Sequence, residues 1–366
     1  MVIAQYPPVI GGTERACQRL SAALVTAGHA VTVITRQAPG TPERGVEEGV
    51  EVLRVPVGRG RVAAALAFIA GALRLLRAIP HDVVHCHQAL SPATVGALAK
   101  RLPGGKPVVV KLAGPGATGD LYTVRRGALA PVRRWLLSAV DGWICPSVEL
   151  VGEIAQFLPG ARTWHVPNGV DAQALAPLAE DERGRLRAAL GITAPTILFT
   201  GALRPEKNLP LLVRALSGVP EGVHLALVGE GAMRGAVEEA IRERGLQGRV
   251  RLVGAVADPR PWLLACDAFT LPSASEGMSN SLLEAMAAAL PIVASDIPGN
   301  AGLVTHAEHG LLCAANSESA LSRALADIMS DRARARALGN AARARILADY
   351  ALDAVAARVS RIYTEL

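Results

Sequence analysis

Two periodicities alternate along this chain, and no other feature limits its fold as tightly. Short apolar runs rich in Val, Ile and Leu alternate with longer helical stretches. "HAVTVIT" (29–35), "DVVHCH" (82–87), "PVVVKLAG" (107–114) and "GWICPS" (142–147) form one series. The pattern then restarts with "TILFTGAL" (196–203), "HLALVGEG" (224–231), "RVRLVGAV" (249–256), "DAFTLPS" (267–273) and "PIVASD" (291–296). Such runs separated by helices specify α/β units with parallel sheets covered on both faces. Between the series lies "WHVPNGVDAQALAPLAEDERG" (164–184), whose Pro-Asn-Gly has strong turn chemistry. A chain of 366 residues exceeds one ordinary core. We therefore expect two doubly wound domains, 1–167 and 168–349. Ligands of such sheets bind beyond the carboxyl ends of the strands, so two facing units would form an interdomain cleft. The chain begins almost inside its first strand. That strand is either an edge fragment or the remnant of a start upstream of Met1.

Composition narrows the class. Apolar residues make up 51% of the chain and aromatics 3%, so the cores must be built from Ala, Val and Leu. The apolar run from Val62 to Leu73 is 12 residues, short of the ~20 that span a bilayer. "MVIAQYPPVIGG" has neither the basic start nor the long apolar stretch of a signal peptide. Five scattered cysteines without a CxxC fit a reducing cytoplasm, and argue against disulfides or a structural zinc. Charge is uneven: residues 1–170 carry 18 Lys and Arg against 10 Asp and Glu, residues 171–366 carry 20 against 22. The first half thus suits an anionic partner, or simply has an Arg-rich surface.

Candidate chemistry gathers at the ends of the apolar runs. In "SEGMSNSLLEAMAAALPIVASDIPG" (275–299), Glu276 and Gly277 lie just past a strand. A helix is expected to start near Ser281, and its apolar sequence says it is buried. Its amides and partial positive charge make the stretch Gly277, Met278, Ser279, Asn280 a place for a phosphate. Glu284 also fits a capping box begun by Ser281. Glu276 lies outside the helix, among apolar neighbours, and a carboxylate there needs hydroxyl or N–H partners, such as a sugar provides. In "TGALRPEKN" (200–208), Arg204 and Lys207 sit between a strand and a helix and could clamp a diphosphate. They could also be two solvated cations.

The first half contributes further candidates. Gly11, Gly12 and Thr13 of "IGGTERA" open a helix; the pair permits close approach of a phosphate or sugar, or makes a plain tight turn. The pattern is not GxGxxG, which disfavours a dinucleotide. His85 and His87 face one side of a strand end. His87 is the candidate general base or hydrogen-bond donor, and His85 a structural histidine. In "YTVRRGALAPVRRWLLSAV" (122–140), Arg125, Arg126, Arg133 and Arg134 accompany Tyr122 and Trp135. That composition is either a solvated face or a patch for an anionic membrane surface or acceptor.

Together these residues resemble the retaining glycosyltransferases of family 4, which have the GT-B fold of two facing Rossmann-like domains. The resemblance runs through "PPVIGGTERA", "AGHAVTVITR", "HVPNGVD", "LRPEKNLPLLVRAL", "LVGEG" and "EGMSNSLLEAMAAALPIVASDIPGN", in the family's order. Its most specific element is Glu-x7-Glu, Glu276 to Glu284. The closing segment, about 350–366, looks like the terminal helix that returns to the first domain. The resemblance implies a nucleotide-diphospho-sugar donor, UDP- or GDP-linked, held by the second domain. Glu276 would contact the sugar, the amides from Gly277 to Asn280 the diphosphate and Glu284 the ribose. Arg204 and Lys207 would balance the phosphates, with Gly229 and Glu230 of "LVGEG" in the donor pocket. It implies a carbohydrate or lipid-linked acceptor on the first domain, transfer with retention, no metal or other cofactor and no nucleic acid. With the cysteine usage and the basic first half, the expectation is a cytoplasmic enzyme, with peripheral contact to an anionic membrane as one option.

Two positions depart from the family. Where it commonly has Gly-Arg, this chain has Gly201-Ala202; Arg204, two residues on, is expected to substitute if strand alternation keeps it on the same side. Lys111 stands about where the family often has a histidine near the reacting sugar, and a cation there could stabilise the departing phosphate. A glycosidase with paired carboxylates, a nucleotide-sugar epimerase and an inactive donor-binding regulator are the alternatives.

Overall fold

The structure is a computed structural model that describes residues 1–9, 11–116, 119–126 and 128–366. Ile10 of the glycine loop and Gly127 of the basic segment lie outside the described residues. Contacts divide the chain into unit 1, Met1–Gly169 with Leu352–Leu366, and unit 2, Val170–Ala351.

Unit 1 contains β1 (Thr32–Arg36), β2 (Arg44–Glu47), β3 (Val50–Val55), β4 (Val84–His87), β5 (Val108–Lys111), β6 (Gly142–Cys145) and β7 (Thr163–His165). The orders are β1-β3-β2 and β4-β5-β6-β7, parallel throughout except for β2 on β3. The opening segment joins these two ladders. Val2 N–H donates to the His85 carbonyl (2.9 Å), and His87 N–H donates to the Val2 carbonyl (2.8 Å). On its other side, Ile34 N–H donates to the Met1 carbonyl (2.8 Å). Of the two readings of the opening strand, the edge fragment is overturned: the segment lies centrally, between the two ladders. Residues Val2 and Ile3, both fully buried, need neighbours on each side to satisfy their backbone groups. The β2–β3 hairpin was not legible in the sequence. Its turn residues Glu48 (φ 52°) and Gly49 (φ 78°) adopt the left-handed conformation that matches strand twist, but Glu-Gly is a weak turn signal. The terminal helix Leu352–Glu365 places Val355, Val359 and Ile362 against Leu20, Leu24, Val109 and Ile144.

Unit 2 is a six-stranded parallel sheet: β8 (Thr196–Thr200), β9 (His224–Val228), β10 (Val250–Gly254), β11 (Ala268–Leu271), β12 (Ile292–Ser295) and β13 (Leu311–Cys313). The order is β10-β9-β8-β11-β12-β13. The chain winds outward from β8 in one direction and returns to β11 for the other. The loops after β8 and β11 therefore part at a topological switch point, where a doubly wound sheet leaves a crevice. Phe199, Phe269 and Leu271 are fully buried beneath it.

Candidate active site

The unit 2 switch point brings together two side chains that the sequence separates by 69 residues. Lys207 ends a single 3-10 turn, Pro205–Lys207, after β8; Glu276 lies five residues past β11. The Lys207 ammonium donates to Glu276 Oε1 at 2.5 Å, with both side chains largely buried. Ser273 Oγ donates to the same oxygen at 2.6 Å. Among the described residues, no hydrogen bond is made to Glu276 Oε2. The loops are also tied through the backbone, Ala274 N–H to the Glu206 carbonyl (2.8 Å). The carboxylate is thus fixed by one oxygen and presents the other.

Beyond Glu276 the chain enters the helix Asn280–Ala287, one residue earlier than expected. Its N-cap is Ser279, whose hydroxyl accepts from Leu282 N–H (3.4 Å), and not Ser281. The Ser281–Glu284 spacing misled because either serine could cap. Glu284 is the fifth helical residue and is buried. The Arg260 guanidinium is pushed up first by its hydrogen bond to Asp258 and more weakly by the charges of Asp171 and Glu284. Gly277, Met278, Ser279 and Asn280 form the approach to this helix, whose N–H groups and dipole favour an anion. Gly299 packs so closely on this turn that a Cβ there would lie 2.2 Å from the Glu276 carbonyl oxygen.

The neighbouring strand ends close the site on one side. Gly229 (φ 147°) follows β9, and a Cβ on it would lie 1.9 Å from the Gly201 carbonyl oxygen. Leu203 N–H bonds to the Glu230 carbonyl (2.9 Å), and the Glu230 side chain pairs with Arg234. Arg204 is largely exposed, 3.9 Å from Glu206. β8 ends at Thr200 and the chain turns at Gly201, so strand alternation does not reach Arg204. The expectation that alternation would aim it into the site fails, and Lys207 is the cation the structure joins to Glu276.

Unit 1 has a switch point of its own, between the opening strand and β4. There Gly11 is the N-cap of the helix Gly12–Thr26, of which Thr13 is the second residue. Gly11 has φ −157°, an extended backbone that does not require glycine. His85 and His87 stack with ring centroids 4.5 Å apart. His85 Nδ1 meets the Tyr363 hydroxyl at 2.6 Å, a structural bond to the terminal helix. His87 is 2% exposed, and its Nε2 has no partner among the described residues. Burial, then the charge of Lys111, holds its pKa well below the usual value, so the ring is neutral. Lys111 lies beside His87 in the β4–β5 register. Burial pushes its ammonium down to about 8, partly opposed by the Cys17 thiol, and no hydrogen bond to it is made among the described residues. Asp120 was missed by sequence reasoning. Its Oδ2 accepts from Ala89 N–H (3.2 Å) and Ala113 N–H (2.9 Å), pinning the turns that follow His87 and Lys111.

Residues 10–174 match the family description Glycosyltransferase Family 4, and residues 182–345 match Glycosyl transferases group 1. The chain is 30% identical to the glycogen synthase of Mycobacterium tuberculosis, over 99% of this chain and 93% of that one. It belongs to glycosyltransferase family 4. It is therefore a glycosyltransferase. The GDP-mannose-dependent alpha-mannosyltransferase of Mycolicibacterium smegmatis is 29% identical, over 91% of this chain and 89% of that one. Among solved structures, Anabaena HepE in complex with UDP and glucose superimposes with a TM-score of 0.83 at 19% identity, covering 100% of this chain and 99% of HepE. That likeness shows the GT-B fold.

Proposed function

We propose that this glycosyltransferase moves a sugar from a nucleotide-diphospho-sugar to a carbohydrate or lipid-linked acceptor, with retention of configuration. One observation carries the reading: Lys207 and Glu276 meet at the unit 2 switch point, beside the amino end of the helix Asn280–Ala287. A cation and helix amides answer a diphosphate; a carboxylate with one oxygen to spare answers sugar hydroxyls. Glu276 then grips the glycosyl ring, Lys207 and the amides from Gly277 to Asn280 take the diphosphate, and Glu284 holds the ribose. Gly229 and Glu230 border the pocket of the base, while Arg204 reaches the outer phosphate. UDP and GDP are the donor nucleotides we favour, since HepE carries UDP with glucose and the mannosyltransferase is named for GDP-mannose.

Retention follows if the acceptor attacks the face from which the diphosphate leaves, its proton passing to the departing phosphate. We assign Lys111 to stabilising that phosphate, His87 to donating a hydrogen bond, and Gly11, Gly12 and Thr13 to the acceptor or diphosphate. Charge balance comes from these groups, so the reading calls for no metal. The acceptor is proposed to be reached at an anionic membrane surface. In support, residues 52–140 hold thirteen Lys and Arg against two acids, Asp82 and Asp120, and Asp120 is buried. Leu66, Val132 and Trp135 in the same stretch are each more than half exposed. Among the described residues no helix is long and apolar enough to cross a membrane. The site favours neither epimerase, glycosidase nor inactive binder.

Glu276→Gln tests the assignment. It keeps an acceptor for Lys207 and Ser273 but removes the charge. Transfer should fall by about a thousandfold while nucleotide affinity, read by calorimetry, is retained. Full activity in this variant removes Glu276 from the mechanism.

A further inference from the structure

Beneath Glu276 lies a chain of buried hydrogen bonds that substrate does not reach. Asn300, fully buried in the short helix Pro298–Ala301, donates through Nδ2 to the Ser295 carbonyl (3.0 Å) and to Ser295 Oγ (3.2 Å). Ser295 closes β12 and donates its hydroxyl to the Ser273 carbonyl. Ser273, also fully buried, sends its own hydroxyl to Glu276 Oε1 at 2.6 Å.

The direction of every proton in this chain is determined. A carbonyl only accepts, so the Asn300 amide must turn Nδ2 toward Ser295. Ser295 Oγ then receives an N–H and has one proton left, which goes to a carbonyl, that of Ser273, with that of Leu271 farther off at 3.4 Å. Asn300 Oδ1 pays for this orientation: it is buried with no partner among the described residues. An amide held with an orphaned oxygen is unfavourable by itself and persists because the network over-determines it.

We propose that Ser273, Ser295 and Asn300 form a positioning relay that fixes the plane of the Glu276 carboxylate. The inference rests on the reading that Glu276 grips the donor sugar. Oε1 is saturated by Ser273 and Lys207, so the carboxylate can turn only by breaking two charge-assisted bonds. Oε2 is thereby aimed at one place before substrate arrives, and ordering the carboxylate costs nothing at the moment of reaction. The relay acts from the far side of the turn, through β12 and the helix after it. Its residues are positioning residues and none touches the sugar.

The test uses the full chain, Ser273→Ala, Ser295→Ala, Glu276→Gln and the double variant Ser273→Ala/Glu276→Gln. Ser273→Ala removes one charge-assisted hydrogen bond and should lower kcat by about 10- to 100-fold. Donor KM and the affinity for free nucleotide should stay within about twofold, because Lys207 and the helix amides are untouched. Ser295→Ala should shift kcat in the same direction by less. In the double variant the loss should equal that of Glu276→Gln alone, since a relay has nothing to position once the charge is gone. A merely structural role would instead lower stability and multiply the two losses. The relay is overturned if Ser273→Ala keeps full kcat while Glu276→Gln is inactive, or if the two losses multiply. Full activity of Glu276→Gln would mark the different failure, that of the functional reading itself.

Discussion

Replacing Lys111 by methionine separates what this residue does for catalysis from what it does to stability. Lys111 is buried, 5% exposed, at the end of β5, between His87 and Ile144 in the sheet register. Burial lowers its pKa from the ordinary 10.5 to about 8, which corresponds to about 3 kcal/mol. The sign follows from proton counts. Below pH 8 both folded and unfolded chains hold the proton, and the folded one bears the whole cost of a desolvated charge. Between about 8 and 10.5 the folded chain has lost the proton and the unfolded chain has not, so stability rises with pH. Methionine matches the length of lysine without its charge. Lys111→Met should therefore stabilise unit 1 at pH 7 by up to about 3 kcal/mol, raising its transition by roughly 6–12 °C. Scanning calorimetry at pH 7 and near pH 10 measures this, and the gain should shrink at the higher pH. Transfer should meanwhile drop by about 100-fold or more, because the cation proposed for the leaving phosphate is gone. In the unmodified chain kcat/KM should decline as pH rises through about 8, the free-enzyme value for Lys111. A variant that is less stable at pH 7, or whose gain is the same at both pH values, would refute this account of the buried charge.

Other expectations can be checked alongside. Lys207→Ala should weaken free nucleotide binding by about tenfold or more in titration calorimetry, and leave Glu276 partly buried without its cation; unchanged affinity would refute the diphosphate role. Ser279→Ala removes the N-cap of the helix Asn280–Ala287 and should cost about 1 kcal/mol in unit 2 by thermal melting. Trp135, 61% exposed with the Arg101 guanidinium 3.9 Å from its ring centroid, should anchor the chain to anionic vesicles in cosedimentation. Binding should weaken with salt and in Trp135→Glu, and equal binding to zwitterionic vesicles would sink the membrane proposal. Asp120→Ala should lower transfer more than Asp120→Asn, which keeps an oxygen for Ala89 and Ala113 N–H.

Much of the fold was written locally. Val-Val-Val in β5 or Ile-Leu-Phe in β8 reads as a buried strand from its short length, its β-branched or aromatic residues and its flanking helices, and the restart of the pattern gives two sheets. Glu276 stood out for the same local reason, as a carboxylate placed just past such a strand. What sequence could not give was the order of strands, because pairing depends on which edges meet in space. Only the tertiary structure puts β8 beside β11 and so brings Lys207 to Glu276. It likewise makes the first three residues central, where a short run at a chain end reads as an edge. Ser273 stood three residues from Glu276 and was within reach of sequence reasoning, but Ser295 and Asn300 were not. Short polar side chains look alike in a sequence, and burial together with hydrogen-bond partners, which are properties of the packed chain, decides which of them matter.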